Sequence, residues 1–173
     1  MHRRQFITTS ALGLAALRLS RFAYAGDAAS TPLALPEALK NNPLLDFSGL
    51  PKFSAFTPAD VAPAIDFLIN HNREQVEKIA AIAAPDWDNF FVPLSDAADK
   101  LNRAWGIVVH LNNVKNSDAL REAHDAALAK ITDYSSWLGQ YEALYQGFVK
   151  LKEAAAFAAY TPAQQKAITD ALR

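Results

Sequence analysis

The chain has 173 residues, 51% of them hydrophobic and 20% charged, with a formal net charge of −1. That is the composition of a globular domain able to bury a sizeable core; it argues against a disordered tail and against nucleic-acid binding through phosphate neutralisation. The absence of cysteine excludes disulfides, CxxC redox pairs, cysteine zinc sites and thiol nucleophiles.

The first residues read as an address rather than as fold. Arg3 and Arg4 precede an apolar stretch from Ala11 to Leu17, and Ala23-Tyr24-Ala25 places small residues where a signal peptidase reads them. A positive start, an apolar middle and a small-residue cleavage site are the layout of a secretory signal over residues 1–25. Arg3-Arg4-Gln5-Phe6-Ile7 resembles a twin-arginine export signal, used for substrates that fold before crossing the membrane. Arg18 and Arg21 interrupt that pattern, and an amphipathic organellar presequence is the alternative. Cleavage after Ala25 removes four of the 17 basic residues and none of the 18 acidic ones, leaving a net charge of −5. The expected location is periplasmic or secreted, with a cytoplasmic protein as the alternative. The apolar run is too short for a membrane span, which needs about 20 apolar residues, so no membrane association of the mature form is expected.

Residues 26–56 carry Pro32, Pro36, Pro43 and Pro51 with weak periodicity. They read as an extended segment, ordered where Leu44, Leu45, Phe47, Leu50 and Phe53 find a surface. From Thr57 the pattern turns helical and stays so to Arg173. Thr57 suits an N-cap, Pro58 the first helical position and Asp60 the capping-box acid. Val61, Ile65, Leu68, Ile69, Val76, Ile79 and Ala83 follow at three- and four-residue spacing, predicting one long helix that ends near Pro85, roughly 27 residues and 40 Å long.

Asp86 or Asp88 opens a second helix, with Pro93 in its first turn or marking its start. Phe90, Phe91, Leu94, Ala97, Ala98, Leu101, Ala104, Trp105 and Val108 form its expected buried side. A polar break at Asn112, Asn113 and Asn116 leads to a third helix capped by Asn116 or Ser117, with Leu120, Ala123, Ala127, Leu128 and Ile131 on its face. A fourth pattern runs from about Tyr134 to Ala159 through Trp137, Leu138, Tyr141, Leu144, Tyr145, Phe148, Val149 and Leu151. Thr161-Pro162, with Gln164 as capping-box partner, opens a last helix. No strand-like alternation competes, so the fold class is all-α.

The chemistry-bearing residues assemble no site. His71, His110 and His124 lie far apart, and none has a second histidine three or four residues away, the spacing at which two imidazoles share a helix face on zinc. Glu122 and Asp125 flank His124 at positions that point away from it on a helix. There is no GxSxG turn and no phosphate-cradling glycine loop. Carboxylate pairs such as Asp96/Asp99 and Glu74/Glu77 fall on polar faces. Tyr134, Trp137, Tyr141, Tyr145 and Phe148 share one face of the fourth pattern, as core packing or as a wall that grips peptide side chains. No catalytic, cofactor-binding or metal-ligating residue is therefore assigned.

Three stretches carry a resemblance. Asn42-Pro43-Leu44-Leu45, Leu50-Pro51-Lys52-Phe53 and Thr57-Pro58-Ala59-Asp60-Val61-Ala62-Pro63-Ala64 come first. Next is His110-Leu111-Asn112-Asn113-Val114-Lys115-Asn116-Ser117, running into Leu120-Arg121-Glu122-Ala123. Last is Tyr134-Ser135-Ser136-Trp137-Leu138-Gly139-Gln140, with Tyr145 beyond. In this order and spacing they resemble the N-terminal region of the oligopeptidase A-like members of the thimet-oligopeptidase family of zinc metallopeptidases, over about Asn42 to Arg173.

The resemblance implies long antiparallel helices forming one wall of a deep channel that admits short unstructured peptides. One face of that wall would pack against the rest of the enzyme. It also implies zinc, held by an HExxH helix and a later glutamate, whose metal-bound water the motif's glutamate activates. This sequence contains no HExxH, so no zinc ligand or general base carries over. The expectation is an N-terminal segment of an exported oligopeptidase present without its catalytic part, with a separately encoded catalytic half and short peptides as partners. A stand-alone helical peptide- or protein-binding module is the alternative. The chain by itself is expected to be inactive.

Overall fold

The same residues that signal helix starts in the sequence do the capping in the structure, a computed structural model that describes residues 33–173. The expected export signal, residues 1–25, lies outside the described residues, as do residues 26–32. Residues 34–173 form one compact unit. Five α-helices run through it: α1 Val61–Ala80, α2 Val92–Val114, α3 Asp118–Gly139, α4 Glu142–Glu153 and α5 Pro162–Asp170. No strand occurs among the described residues, and none of their helices is long and apolar enough to cross a membrane.

The first helix begins as expected and ends early. The Thr57 N–H and Oγ1 both donate to Asp60 Oδ2, at 2.8 and 2.6 Å, over a 3-10 turn, Pro58–Asp60, that runs into α1. The expected length to Pro85 is not reached: α1 stops at Ala80, Ala83 is exposed and Pro85 is buried. Pro85 bars a helix from running past Ala84, which sets the outer limit but does not account for the stop at Ala80. The expected apolar face is otherwise in place, with Val61, Ala64, Ile65 and Leu68 at 0% exposure.

Of the two acids expected to open the second helix, Asp86 does so, and Asp88 lies inside the turn that follows. Asp86 Oδ1 accepts from the N–H groups of Asp88 (2.9 Å) and Asn89 (2.7 Å), and Asn89 Oδ1 accepts from the Asp86 N–H (2.8 Å). This cap opens a π-helical turn, Trp87–Phe91, and α2 follows with Pro93 in its first turn. The proline lacks an N–H, and it sits where the hydrogen-bond ladder changes from the wide π spacing to the α spacing. Ile107 joins the buried side of α2, whereas Ala98 is exposed.

Ser117, not Asn116, caps α3, its Oγ accepting from the Leu120 N–H at 3.2 Å. The fourth pattern does not begin at Tyr134. α3 continues to Gly139, the chain breaks at Gln140-Tyr141, α4 starts at Glu142 and ends at Glu153, and a 3-10 turn covers Ala155–Ala159. Tyr134, Trp137 and Leu138 therefore belong to α3. That helix buries a narrow stripe at seven-residue spacing, Leu120, Ala127 and Tyr134, while Leu128 is turned to solvent. At α5, the Thr161 N–H and Oγ1 both donate to Gln164 Oε1 at 2.9 Å.

Part of the core is a cluster of Val76, Ile79, Phe90, Leu144, Phe148, Leu151 and Ile168 from α1, the π turn, α4 and α5. Phe90 meets Phe148 edge-on, with ring centroids 5.1 Å apart. The Trp87 N–H donates to the Tyr160 hydroxyl at 3.1 Å, tying the π turn to the stretch before α5. Of the residues expected to anchor the extended segment, Leu44 and Leu45 are buried, Phe47 is half-buried, and Leu50 and Phe53 are exposed. Asn42 holds this segment to the helices: its Nδ2 donates to the Asp60 carbonyl at 2.9 Å.

Candidate functional site

Between α1, the start of α2, the end of α3 and α4 lies an open groove of about 490 Å³. Val76, Phe91, Leu94, Leu138, Leu144 and Phe148 supply apolar walls, and Ala97, Ala98, Ser135 and Gly139 make room between the helices. The break at Gln140-Tyr141 explains how this space arises. An aromatic stripe that reads as one helix face is divided between two helices, so Tyr134 of α3 and Phe148 of α4 face the same groove. Trp137 stacks on Tyr141 at 5.1 Å across the break, and Tyr145, expected on the same face, is 47% exposed.

Polar character enters at Tyr134. Its ring is buried, and burial pushes the phenol above its ordinary pKa against the opposing pull of Asn72 and Arg73. The Arg73 guanidinium lies 4.4 Å from the Trp137 ring centroid and 5.8 Å from that of Tyr134, a cation–π placement. Behind the wall, Asn72 is fully buried. Its Nδ2 donates to the Ala97 carbonyl at 3.0 Å, while its Oδ1 has no hydrogen-bond partner among the described residues. The reading of the residues missed Asn72, and the signal was present. Positions 65, 68, 69, 72, 76 and 79 share the apolar face of α1, and Asn72 is the polar residue among them.

The three histidines among the described residues are each placed against a different ring. His71 stacks on Phe67 at 6.1 Å, His110 lies 5.2 Å from Phe53, and His124 stacks on Trp105 at 4.9 Å. Burial holds His71 below its usual pKa; Glu74 opposes that shift, and Lys100 and Lys78 add to it. One expectation fails at His124. Asp125, adjacent in sequence, does reach it, with Nδ1 and Oδ1 2.9 Å apart, the exposed Asp125 carboxylate meeting a ring that is itself packed on Trp105. Among the described residues no three of His, Asp and Glu gather closely enough to hold a metal ion. The donor set therefore does not fit zinc, and no hydrolytic step is derived through it. Glu74, Glu77 and Asp99 are exposed and Asp96 is half-exposed, without the burial that prepares a carboxyl for acid–base work.

What the arrangement offers is shape: an apolar groove with one buried phenol. Comparison with known proteins places that shape in a family. The family whose signature matches is described as Neurolysin/Thimet oligopeptidase, N-terminal domain, over residues 65–173. Oligopeptidase A of Haemophilus influenzae is 45% identical over 133 residues, 77% of this chain and 20% of that protein. Oligopeptidase A of Escherichia coli is 43% identical over 133 residues, 76% of this chain and again 20% of the relative. The organellar oligopeptidase A of Arabidopsis thaliana is 28% identical over 132 residues, covering 17% of its length. The chain thus spans about a fifth of the length of these relatives. With the helical architecture, the ordered motifs and this match in agreement, the chain belongs to the neurolysin/thimet oligopeptidase family, in the region of its N-terminal domain.

Proposed function

We propose that this chain is the N-terminal helical wall of an exported, oligopeptidase A-like zinc endopeptidase acting on short peptides, and that the hydrolytic residues are not among these 173. The observation that carries the reading is the match to oligopeptidase A across three quarters of the chain, joined to histidines that are held apart on separate aromatic partners. In this role the residues of the groove exclude water and present apolar surface to peptide side chains, and zinc with its activated water belongs to the catalytic part. The test is cleavage of a quenched short peptide by the purified chain at graded zinc. No turnover is expected; chelator-sensitive turnover that co-purifies with the chain overturns the assignment. Export rests on Arg3-Arg4 and Ala23-Tyr24-Ala25, and mass measurement after cell fractionation checks it. A mature start near residue 26 outside the cytoplasm is expected, and replacing both arginines with lysine blocks export if the twin-arginine route is used.

A second reading, a stand-alone helical binding module without enzymatic activity, is favoured by one feature. The core residues Val61, Ile65, Leu68, Phe90, Val108, Leu151 and Ile168 reach 0% exposure within this chain alone. A binding module would hold peptides or protein segments with no catalytic partner present, which equilibrium binding of the isolated chain to a short unstructured peptide would reveal.

A further inference from the structure

The nine asparagines of the chain all lie within the described residues, and the fold treats one of them differently from the rest. Asparagine is a labile residue, because the backbone nitrogen of the residue after it can attack the side-chain amide carbon and close a cyclic imide. The attack needs a following N–H that is not already held in a hydrogen bond, and a backbone outside regular structure that can turn toward the side chain.

Eight of the nine are denied that N–H. Asn70 and Asn72 in α1, and Asn102, Asn112 and Asn113 in α2, are each followed by a residue of the same helix, whose N–H is held in the helical ladder. The residue after Asn41 donates its N–H to the Leu39 carbonyl, and the residue after Asn89 donates to the Asp86 carbonyl, both at 3.0 Å. Asn42 is followed by Pro43, which has no N–H. Asn116 is the exception. It is exposed in the short link between α2 and α3, and Ser117 after it is extended, with φ −145° and ψ 161°. The Ser117 Oγ is engaged as the cap of α3, but the Ser117 N–H finds no acceptor among the described residues. From α3, Arg121 Nη2 donates to Asn116 Oδ1 at 3.2 Å, the oxygen on which negative charge builds when the amide carbon is attacked.

We infer that Asn116 is a site of spontaneous covalent modification, deamidation, with Ser117 supplying the attacking nitrogen and Arg121 receiving the carboxylate that results. The Ser117 nitrogen bonds to the Asn116 side-chain carbon, the bond from that carbon to Nδ2 breaks, and ammonia leaves with the proton of the Ser117 N–H. Solvent water then opens the imide. Opening at the side-chain carbon gives an aspartate; opening at the main-chain carbonyl gives an isoaspartate, in which the backbone runs through the former side chain. Either product puts a carboxylate beside Arg121 and just ahead of the first turn of α3, where the helix dipole favours negative charge. The isoaspartate also lengthens the backbone immediately before the Ser117 cap.

The full chain, aged in mildly alkaline buffer and mapped by peptide mass spectrometry, tests this. Conversion at Asn116 is expected to run roughly tenfold or more faster than at Asn102, whose following N–H is released only when α2 opens. In urea the helical ladders are gone, and that advantage should shrink. Ser117→Pro removes the attacking N–H and is expected to abolish conversion at Asn116. Because that variant also removes the cap of α3, Asn116→Gln gives a second reading with Ser117 intact: its longer side chain closes the ring far less readily, and the early gain in mass of the intact chain is expected to disappear. Conversion at Asn116 no faster than at Asn102, or an early mass gain that survives Asn116→Gln, overturns the assignment. So does an advantage over Asn102 that urea leaves unchanged, since the sequence neighbours and not the fold would then select the residue.

Discussion

The π turn with α4 and the loop from Asp46 to Phe53 are both rich in large apolar side chains, and they use them in opposite ways. Phe90, in the turn, is at 0% exposure and is packed so closely that Gly147 of α4 has no room for a side chain: a Cβ there would overlap the Phe90 ring. Leu50, in the loop, is 90% exposed on a backbone that Asp46, Lys52 and Arg103 hold in place. Burial of apolar surface orders the first region, and polar contacts order the second. The first closes the chain on itself, and the second leaves its leucine in water.

Removing the ring at the centre of the closed region should have the largest effect. Phe90→Ala is expected to cost about 3–5 kcal/mol in urea unfolding, the usual range for a fully buried phenylalanine. A loss below about 1 kcal/mol would show that the cluster is not the self-sufficient core described here. Gly147→Ala should cost about 1–3 kcal/mol through overpacking. A second change, Phe90→Leu, should recover part of that loss, since the two positions are in contact and their effects should not add. Replacing the cap that launches the π turn, Asp86→Ala, is expected to cost roughly 0.5–2 kcal/mol, since it leaves the N–H groups of Asp88 and Asn89 without their acceptor.

The loop should answer differently. In the isolated chain, Leu50→Asp is expected to change stability by less than about 0.5 kcal/mol, as an exposed position does. A larger loss would mean that Leu50 already packs within this chain, and the contrast between the two regions would disappear. The smallest effect concerns pH. Burial depresses the folded-state pKa of His71 below the ordinary imidazole value of 6.5. Above pH 6.5 the ring is neutral in both states and stability does not depend on it. As pH falls below 6.5 the unfolded chain takes up a proton that the folded chain resists, so stability falls until the folded pKa is passed. Urea titrations at several pH values should show this slope, and His71→Gln should flatten it.

Much of the architecture was legible residue by residue. Thr57 with Asp60 and Thr161 with Gln164 are pairs three residues apart, and in each the first residue's N–H is found bonded to the second's side chain. The apolar face of α1 was legible for the same reason, because helical periodicity is local. The groove was not. Its existence depends on the break at Gln140-Tyr141, where the aromatic spacing runs on as if one helix continued. Gly139 is the local hint of that break, and a glycine at a helix end is common enough to be passed over. Asn72 stood in the apolar stripe of α1 as a visible irregularity, but its partner Ala97 is 25 residues away.

What the sequence by itself determined is the all-helical class, the starts of the first, third and last helices and the family to which the chain belongs. These are carried by short-range capping chemistry, a 3.6-residue period and an ordered set of motifs. The tertiary structure alone decided that the fourth pattern divides into two helices, that Tyr134 and Phe148 meet across one groove, that Phe90 leaves room only for glycine at position 147, and that Leu50 stays in water. Each of these depends on packing or bonding between segments that are not neighbours in sequence. Local propensity has no access to such contacts, whose free energies are settled only when the helices are brought together.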